Sequence, residues 1–413
     1  MRIFLLFLCT IWTTLAWSAE PFAVYLTWQH DPTKTMTIQW ITPKDDLEDS
    51  LEYKPQGEGK WLSRQGVHKE IPQDEPFVVH VVELQGLIPG SAYRFRLKDS
   101  DKEYLFRTLH KNLDEKPLIF LVGGDTNQLG PDVFAETNIQ ARKENPDFVV
   151  LGGDLAYASP RESSDVEDAE RWLEWIKTYS DTMKTEDNFL IPLLVAIGNH
   201  DVKGGFHQTP QKAPFFHALF AMPGFPGYNV LRVNDYLSFY LLDSSHSNPV
   251  KGVQTEWLKN ELSKDTNCLH RFAIYHVPAY PSVRSMNMEI SNMIRRNWLP
   301  LFEKYGIHVA FENHDHDYKR TYPLIKGQID PRGVVFMGDG SWGVKPRIPK
   351  KASKSDFFAK TKSAQHYIKI KLDSSIREFW AITPTGQVID HYIQFVDKKI
   401  PSEEKLVLAK RKK

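Results

Sequence analysis

Cysteine is nearly absent from this 413-residue chain, which has only Cys9 and Cys268. Cys9 lies in an N-terminal apolar run, so the remainder keeps one thiol and forms no internal disulfide. A thiolate zinc or iron–sulfur centre is excluded with it. A chain this long can rely on its own core instead. A surplus of one charge is also missing. The 52 basic residues match 52 acidic ones, which argues against a stable nucleic-acid partner held by a broad basic face. The local imbalance is at the end, where residues 397–413 carry seven basic and three acidic residues. That basic tail reads as a frayed terminus and leaves the body mildly acidic. Beyond the N-terminus no apolar run is long enough to cross a membrane, and no internal repeat is visible.

The first 18 residues read as an export signal. Arg2 supplies the positive start, Ile3 to Trp12 is mostly apolar, and Ala16-Trp17-Ser18 places small residues where a signal peptidase cuts. The run is too short to anchor the chain as a membrane helix. Phe7-Leu8 before Cys9 do not suit a lipid-anchor signal. Export to the periplasm or the medium is therefore expected.

Residues 21–110 carry short alternating stretches such as Met36 to Trp40, Val78 to Leu84 and Tyr93 to Leu97. A turn at Leu87-Ile88-Pro89-Gly90 separates the last two. This predicts an all-β sandwich with Trp40 in its core. A polar linker, Lys111 to Lys116, follows. From residue 117 to 396 the pattern changes to continuous apolar runs separated by helical stretches, Val166 to Tyr179 and Gln254 to Leu262 among them. That alternation predicts an α/β layered body with mixed sheets flanked by helices. Strands return at Val334 to Met337, Tyr367 to Leu372, Arg377 to Ile382 and Val388 to Phe395, with a basic loop from Pro346 to Lys362.

Five of the apolar runs end in polar residues. Leu118 to Val122 leads to Asp125. Phe148 to Leu151 leads to Asp154 and Tyr157. Leu190 to Ile197 leads to Asn199, His200 and Asp201. Phe272 to Tyr275 leads to His276, and Val309 to Phe311 leads to His314 and His316. A lone Gly-Asp is more often a turn than a ligand. Five such ends, all oxygen or nitrogen donors, point to a site for hard or borderline metal ions at the carboxyl edge of a sheet. Glycines beside them let the backbone turn sharply there.

In that order the set resembles the calcineurin-like metallophosphoesterases. Tyr157, three residues after Asp154, narrows the resemblance to the purple acid phosphatases. The blocks are Gly124-Asp125-Thr126-Asn127, Gly153-Asp154-Leu155-Ala156-Tyr157, Gly198-Asn199-His200-Asp201, Ala273-Ile274-Tyr275-His276 and Asn313-His314-Asp315-His316. The N-terminal sandwich is similar to the fibronectin-type-III-like domain of larger members. Gly338-Asp339-Gly340 is similar to a glycine-rich turn of the family. The resemblance implies two metal ions. Asp125, Tyr157 and His316 would bind the first, Fe(III). Asn199, His276 and His314 would bind the second, Fe, Zn or Mn(II). Asp154 would bridge them. A phenolate from Tyr157 suits a trivalent ion and implies a purple colour. Asn127, Ala273 and Asn313 depart from the family pattern without removing a ligand. The plant-type enzymes carry phosphate-contacting histidines after the fourth block. This chain has Val277 to Arg284 with none. Arg284 is expected to supply that charge, with Tyr280, Asn199 and His200 also contacting substrate.

The resemblance implies an acid phosphatase-like hydrolase of small-molecule phosphate monoesters. Two metal ions would activate a bound water for in-line attack. His200 would protonate the leaving oxygen or orient the phosphate. Asp201 would steady His200 or a ligand from behind. Asp315 and Asp317 should point away from the ligands, and His246, His207 and His217 should lie at the surface or rim. A phosphodiesterase acting on nucleotides or phospholipid head groups uses the same metals and stays open. So does a non-catalytic adhesion protein.

Overall fold

Between Ala23 and Arg107 the described residues form strands without helices. One antiparallel sheet runs in the order Ala23–Thr27, Met36–Pro43, Phe77–Leu84, Val67–Glu70. The other runs Leu62–Gln65, Ser50–Pro55, Ala92–Leu97, Glu103–Arg107. The computed structural model describes residues 20–57, 59–159, 165–265, 267–350 and 356–396. The expected leader and the basic tail lie outside the described residues. Trp40 is buried, as expected, and stacks on His80 with ring centroids 4.8 Å apart.

The alternation in Met36 to Trp40 predicts one face in water, and the structure differs. Thr37 and Gln39 are fully buried. Their face turns toward the α/β body, where Gln39 donates to the Leu219 carbonyl (2.9 Å) and accepts from the Ala221 N–H (3.0 Å). Tyr25 also donates to Leu219 (2.7 Å). Ser180 accepts from the Val24 N–H and donates to the Val24 carbonyl (2.9 and 2.8 Å). The polar residues on this strand are matched to a protein partner, not to solvent. Trp28 completes the junction, edge-on to Phe148 at 5.7 Å.

The α/β body is built on two sheets. The first has the order Leu193–Val195, Phe148–Leu151, Leu118–Gly123, Tyr367–Leu372, Ile376–Ile382, Val388–Phe395, its first three strands parallel. The second has the order Asn229–Val233, Leu237–Leu241, His270–Ile274, Val309–Glu312, Val335–Gly338, Tyr318–Thr321, Phe358–Lys362, with strands two to five parallel. Side chains alternate between two cores, which explains the uninterrupted apolar runs. Phe239, Phe272 and Phe311 meet Phe120 and Phe379 of the facing sheet. Their neighbours Tyr240, Ala273, Tyr275 and Ala310 pack on the other side with Leu258, Ile294, Trp298 and Phe302 of the helices. On the first sheet's side, Phe134 of helix Pro131–Ala141 stacks on Trp175 of helix Ala169–Thr182 at 5.4 Å. This is the predicted layered body preceded by an all-β sandwich.

Two local expectations are corrected. The run Leu190 to Ile197 forms a strand only over Leu193–Val195. Leu190 instead donates its N–H to Leu105 of the sandwich at 2.8 Å. The basic loop Pro346 to Lys362 ends in a strand, Phe358–Lys362, paired with Tyr318–Thr321. Its lysines suit a sheet edge, where charge blocks further pairing.

Replacing Gln39 by Leu strands the buried Ala221 N–H and removes one donor from Leu219. The expected loss is about 1–3 kcal/mol of unfolding free energy, measured by urea denaturation of the full chain.

Candidate metal centre

The parallel strands align their carboxyl ends, so the loops after them converge on one edge. There the backbone is bent into an unusual shape. Asp125 (φ 53°), Asp154 (51°), Tyr157 (54°), His314 (75°) and His316 (60°) all lie in the left-handed region. Non-glycine residues enter it at a cost of about 1–3 kcal/mol each, and hold it only where the surroundings demand it. The glycines between them clear space. A Cβ on Gly340, itself at φ 59°, would stand 1.7 Å from Asp125 Oδ2; one on Gly152 would stand 1.8 Å from Asn313 Nδ2. Asn313, a departure from the family pattern, lies over Gly152 and donates to the Tyr275 carbonyl at 3.0 Å.

Two clusters of donor atoms result, all buried. In the first, Asp125 Oδ1 is 3.0 Å from the Tyr157 hydroxyl and 2.9 Å from His316 Nε2, and those two stand 3.1 Å apart. In the second, His276 Nε2 is 3.1 Å from Asn199 Oδ1, 3.1 Å from His314 Nδ1 and 3.2 Å from Asp154 Oδ2. Adjacent donors of an octahedral ion with bonds of about 2.1 Å stand about 3.0 Å apart. The spacing in both clusters fits that.

Orientation is set from behind the donors. His276 Nδ1 faces the Gly152 carbonyl at 3.0 Å, so Nδ1 carries the proton and Nε2 is left as the donor. His200 gives its backbone N–H to Asp154 Oδ1 (2.7 Å), and His314 gives its own to Asp125 Oδ2 (3.0 Å). Asp201 accepts from the N–H groups of Leu155 (2.8 Å) and Gly198 (2.9 Å), tying the second strand-end loop to the third. Asp315 accepts the N–H groups of Ser282, Val283 and Arg284, and Asp317 accepts the Ser282 hydroxyl. Both therefore point away from the donors, as expected. Lys319, fully buried, bonds Glu312 (2.7 Å), Asp339 (3.2 Å) and the Tyr280 carbonyl. It joins the loops after three neighbouring strands.

The electrostatics call for cations. Burial pushes the Tyr157 phenol well above its ordinary range, and the charges of Asp125 and Asp154 push the same way. Burial also opposes ionisation of Asp154, but His276 and His200 hold its carboxyl below the usual range. His276 is opposed by burial and raised to about 9 by Asp154 and Asp125. Burial lowers His314 well below its usual value, so it is a neutral donor. Without a cation, a proton on His276 balances Asp154. A metal ion can take that proton's place.

A model described as "Purple acid Phosphatase, N-terminal domain" matches residues 21–108, and one described as "Calcineurin-like phosphoesterase" matches residues 120–318. The chain belongs to the purple acid phosphatase family. As a member it is a metal-dependent phosphatase. Acid phosphatase type 7 of Mus musculus is 24% identical over 372 residues, covering 78% of each chain. Purple acid phosphatase 21 of Arabidopsis thaliana is 25% identical over 276 residues, covering 63% of this chain and 58% of that one. The fold matches that of purple acid phosphatase PPD1 from yellow lupin seeds, with a TM-score of 0.73 at 17% identity, covering 90% of this chain and 73% of that one. PhoD matches with a TM-score of 0.64 at 12% identity, covering 92% and 90%.

Other expected site residues are placed as follows. His200 is half-buried, stacked on Tyr157 at 4.5 Å, with Nδ1 against the Ser159 carbonyl. Arg284 pairs with Asp315 at 3.0 Å and with the His314 carbonyl, so its charge is already engaged. Tyr280 is not a pocket residue. Its ring is buried edge-on to Phe336 (4.7 Å) and Phe357 (5.4 Å) in the helix-side core. His207 is exposed, and His217 stacks on Phe225. His246, expected at the rim, is fully buried, its ring 5.3 Å from that of His276. The strand-end rule could have found it, since Leu237–Leu241 is one more parallel strand and Asp243 to His246 follow it. Arg347 was not anticipated. Its N–H donates to the His316 carbonyl at 2.8 Å, and its charge acts on the Tyr157 phenol against that of the carboxylates.

Gly340→Ala is expected to displace Asp125 and to cut metal bound at the Tyr157 cluster by more than half. Elemental analysis of the folded variant checks this.

Proposed function

We propose that this chain is an exported hydrolase of phosphate monoesters that works with two metal ions. The observation that carries the reading is the pair of donor clusters, each spaced near 3 Å and together holding all seven predicted ligands. Asp125, Tyr157 and His316 would hold one ion. Asn199, His276 and His314 would hold the other, with Asp154 shared. The phenol of Tyr157 resists ionisation here, and a trivalent ion such as Fe(III) is what makes phenolate ligation favourable. Iron, zinc or manganese(II) suits the oxygen- and nitrogen-rich second cluster.

When bound, the ions supply Lewis acidity at the phosphoryl oxygens and a reactive water. The protein's own groups do the rest. His200 Nδ1 faces a carbonyl, which only accepts, so Nδ1 keeps its hydrogen and Nε2 is the nitrogen that takes up and then releases a proton. From that atom His200 gives a proton to the leaving oxygen. Arg347 supplies positive charge on the Tyr157 side, in the role expected of Arg284. Asp201 keeps the loops of Asp154 and Asn199 in register. The export reading rests on Arg2, the apolar run from Ile3 and the Ala16-Trp17-Ser18 site, and no helix among the described residues is long and apolar enough to cross a membrane.

His200→Ala is expected to keep its metal content and lose about 10²–10⁴-fold in kcat on an aryl phosphate monoester. An unchanged kcat would remove its assigned role. Tyr157→Phe is expected to lose the visible absorption band of the metal-loaded protein. A substrate panel of monoesters against diesters tests the substrate class, with faster turnover of monoesters expected.

A further inference from the structure

A second group of metal-donor side chains lies in the N-terminal sandwich. His68 and His80 are directly opposed across the antiparallel pair of Val67–Glu70 and Phe77–Leu84. Opposed residues on one sheet face have Cβ atoms about 4.5–5.5 Å apart, which brings two imidazoles within reach of one ion. Asp49, just before strand Ser50–Pro55 of the other sheet, reaches between them. Its Oδ1 is 2.6 Å from His80 Nδ1 and its Oδ2 is 2.8 Å from His68 Nδ1. One donor atom from each of the three falls within 4.8 Å of the others.

We propose that Asp49, His68 and His80 form a structural binding site for a borderline divalent cation of the zinc class, stapling the two sheets of the sandwich. Two imidazoles and one carboxylate are a donor set such ions favour, with a fourth position left for water. Tetrahedral bonds of about 2.0–2.1 Å put donors about 3.3 Å apart, so the group needs to open by about half an ångström. His68 sits on an exposed edge strand, which permits that shift and gives the ion an entry path. His80 is held still: it is fully buried and stacked flat on Trp40.

The ring tautomers can adapt to an ion as well. Each imidazole now donates its Nδ1–H to an Asp49 oxygen. To bind an ion through Nδ1, each moves that proton to Nε2. His80 Nε2 lies 2.6 Å from Thr42 Oγ1, and that hydroxyl has the Pro43 carbonyl at 3.4 Å as an acceptor. Thr42 can therefore donate to His80 in one tautomer and accept from it in the other. His68 Nε2 exchanges its proton with water. An oriented acceptor behind a ligand histidine is what metal sites use to hold the ring.

The test is calorimetric titration of Zn²⁺ into the full chain already loaded with its catalytic metals. One further ion per chain is expected, with a rise in the thermal midpoint. His68→Ala, an exposed change, should lose that ion and the rise while keeping the wild-type phosphatase rate. Asp49→Asn keeps the side chain's shape and should weaken binding at least tenfold. No further uptake by the wild type, or equal uptake by both variants, would overturn the proposal and leave a hydrogen-bonded clamp between sheets.

Discussion

The centre depends on like-natured donor atoms being buried together. Asp125, Asp154, Tyr157, Asn199, His276, His314 and His316 are all buried; Asp125, Tyr157 and His316 stand about 3 Å apart, and His276 Nε2 stands 3.1–3.2 Å from the donors of Asn199, His314 and Asp154. Only a proton or a cation makes such a cluster favourable. The fold meets the mechanical side of this demand by placing five of the seven on left-handed backbone. That bending must be offset by the rest of the structure. Parallel strands supply the convergence, and Gly340 and Gly152 supply the clearance.

Behind the donors lies a second buried layer of charge. Lys319 with Glu312 and Asp339, Asp315 with three successive N–H groups, and Asp201 with Leu155 and Gly198 each join loops from different strands. Breaking one member of such a buried pair leaves an uncompensated charge, at a cost of about 3–5 kcal/mol. This layer explains why loops far apart in the chain hold fixed positions. The same principle joins the sandwich to the body. Gln39, Tyr25 and Ser180 satisfy backbone groups across the junction, and Trp28 packs on Phe148. The sandwich is thereby packed against the helix and loops that border the catalytic layers.

The layered fold and the donor set were legible because each rests on a local signal. Continuous apolar runs mark strands buried on both faces, and polar residues at their ends mark the site. What stayed hidden depends on partners distant in sequence. Thr37 and Gln39 read as solvent-facing because their period-2 pattern does not say which surface covers them. Tyr280 read as a pocket residue because it follows His276, yet the chain turns its ring into the helix-side core. Arg284 was visible as a positive charge, but its engagement by Asp315 was not. Arg347 approaches Tyr157 only through the loop that hydrogen-bonds the His316 carbonyl. The His68–His80 pairing needs strand register, which sequence spacing alone does not set.

The central claim is that these seven side chains hold two cations sharing Asp154. Anomalous diffraction from crystals of the metal-replete protein tests it most directly. The account predicts two peaks per chain at this edge, about 3.5–4 Å apart, one beside Tyr157 and one beside His276. A single peak there, or none, would contradict it.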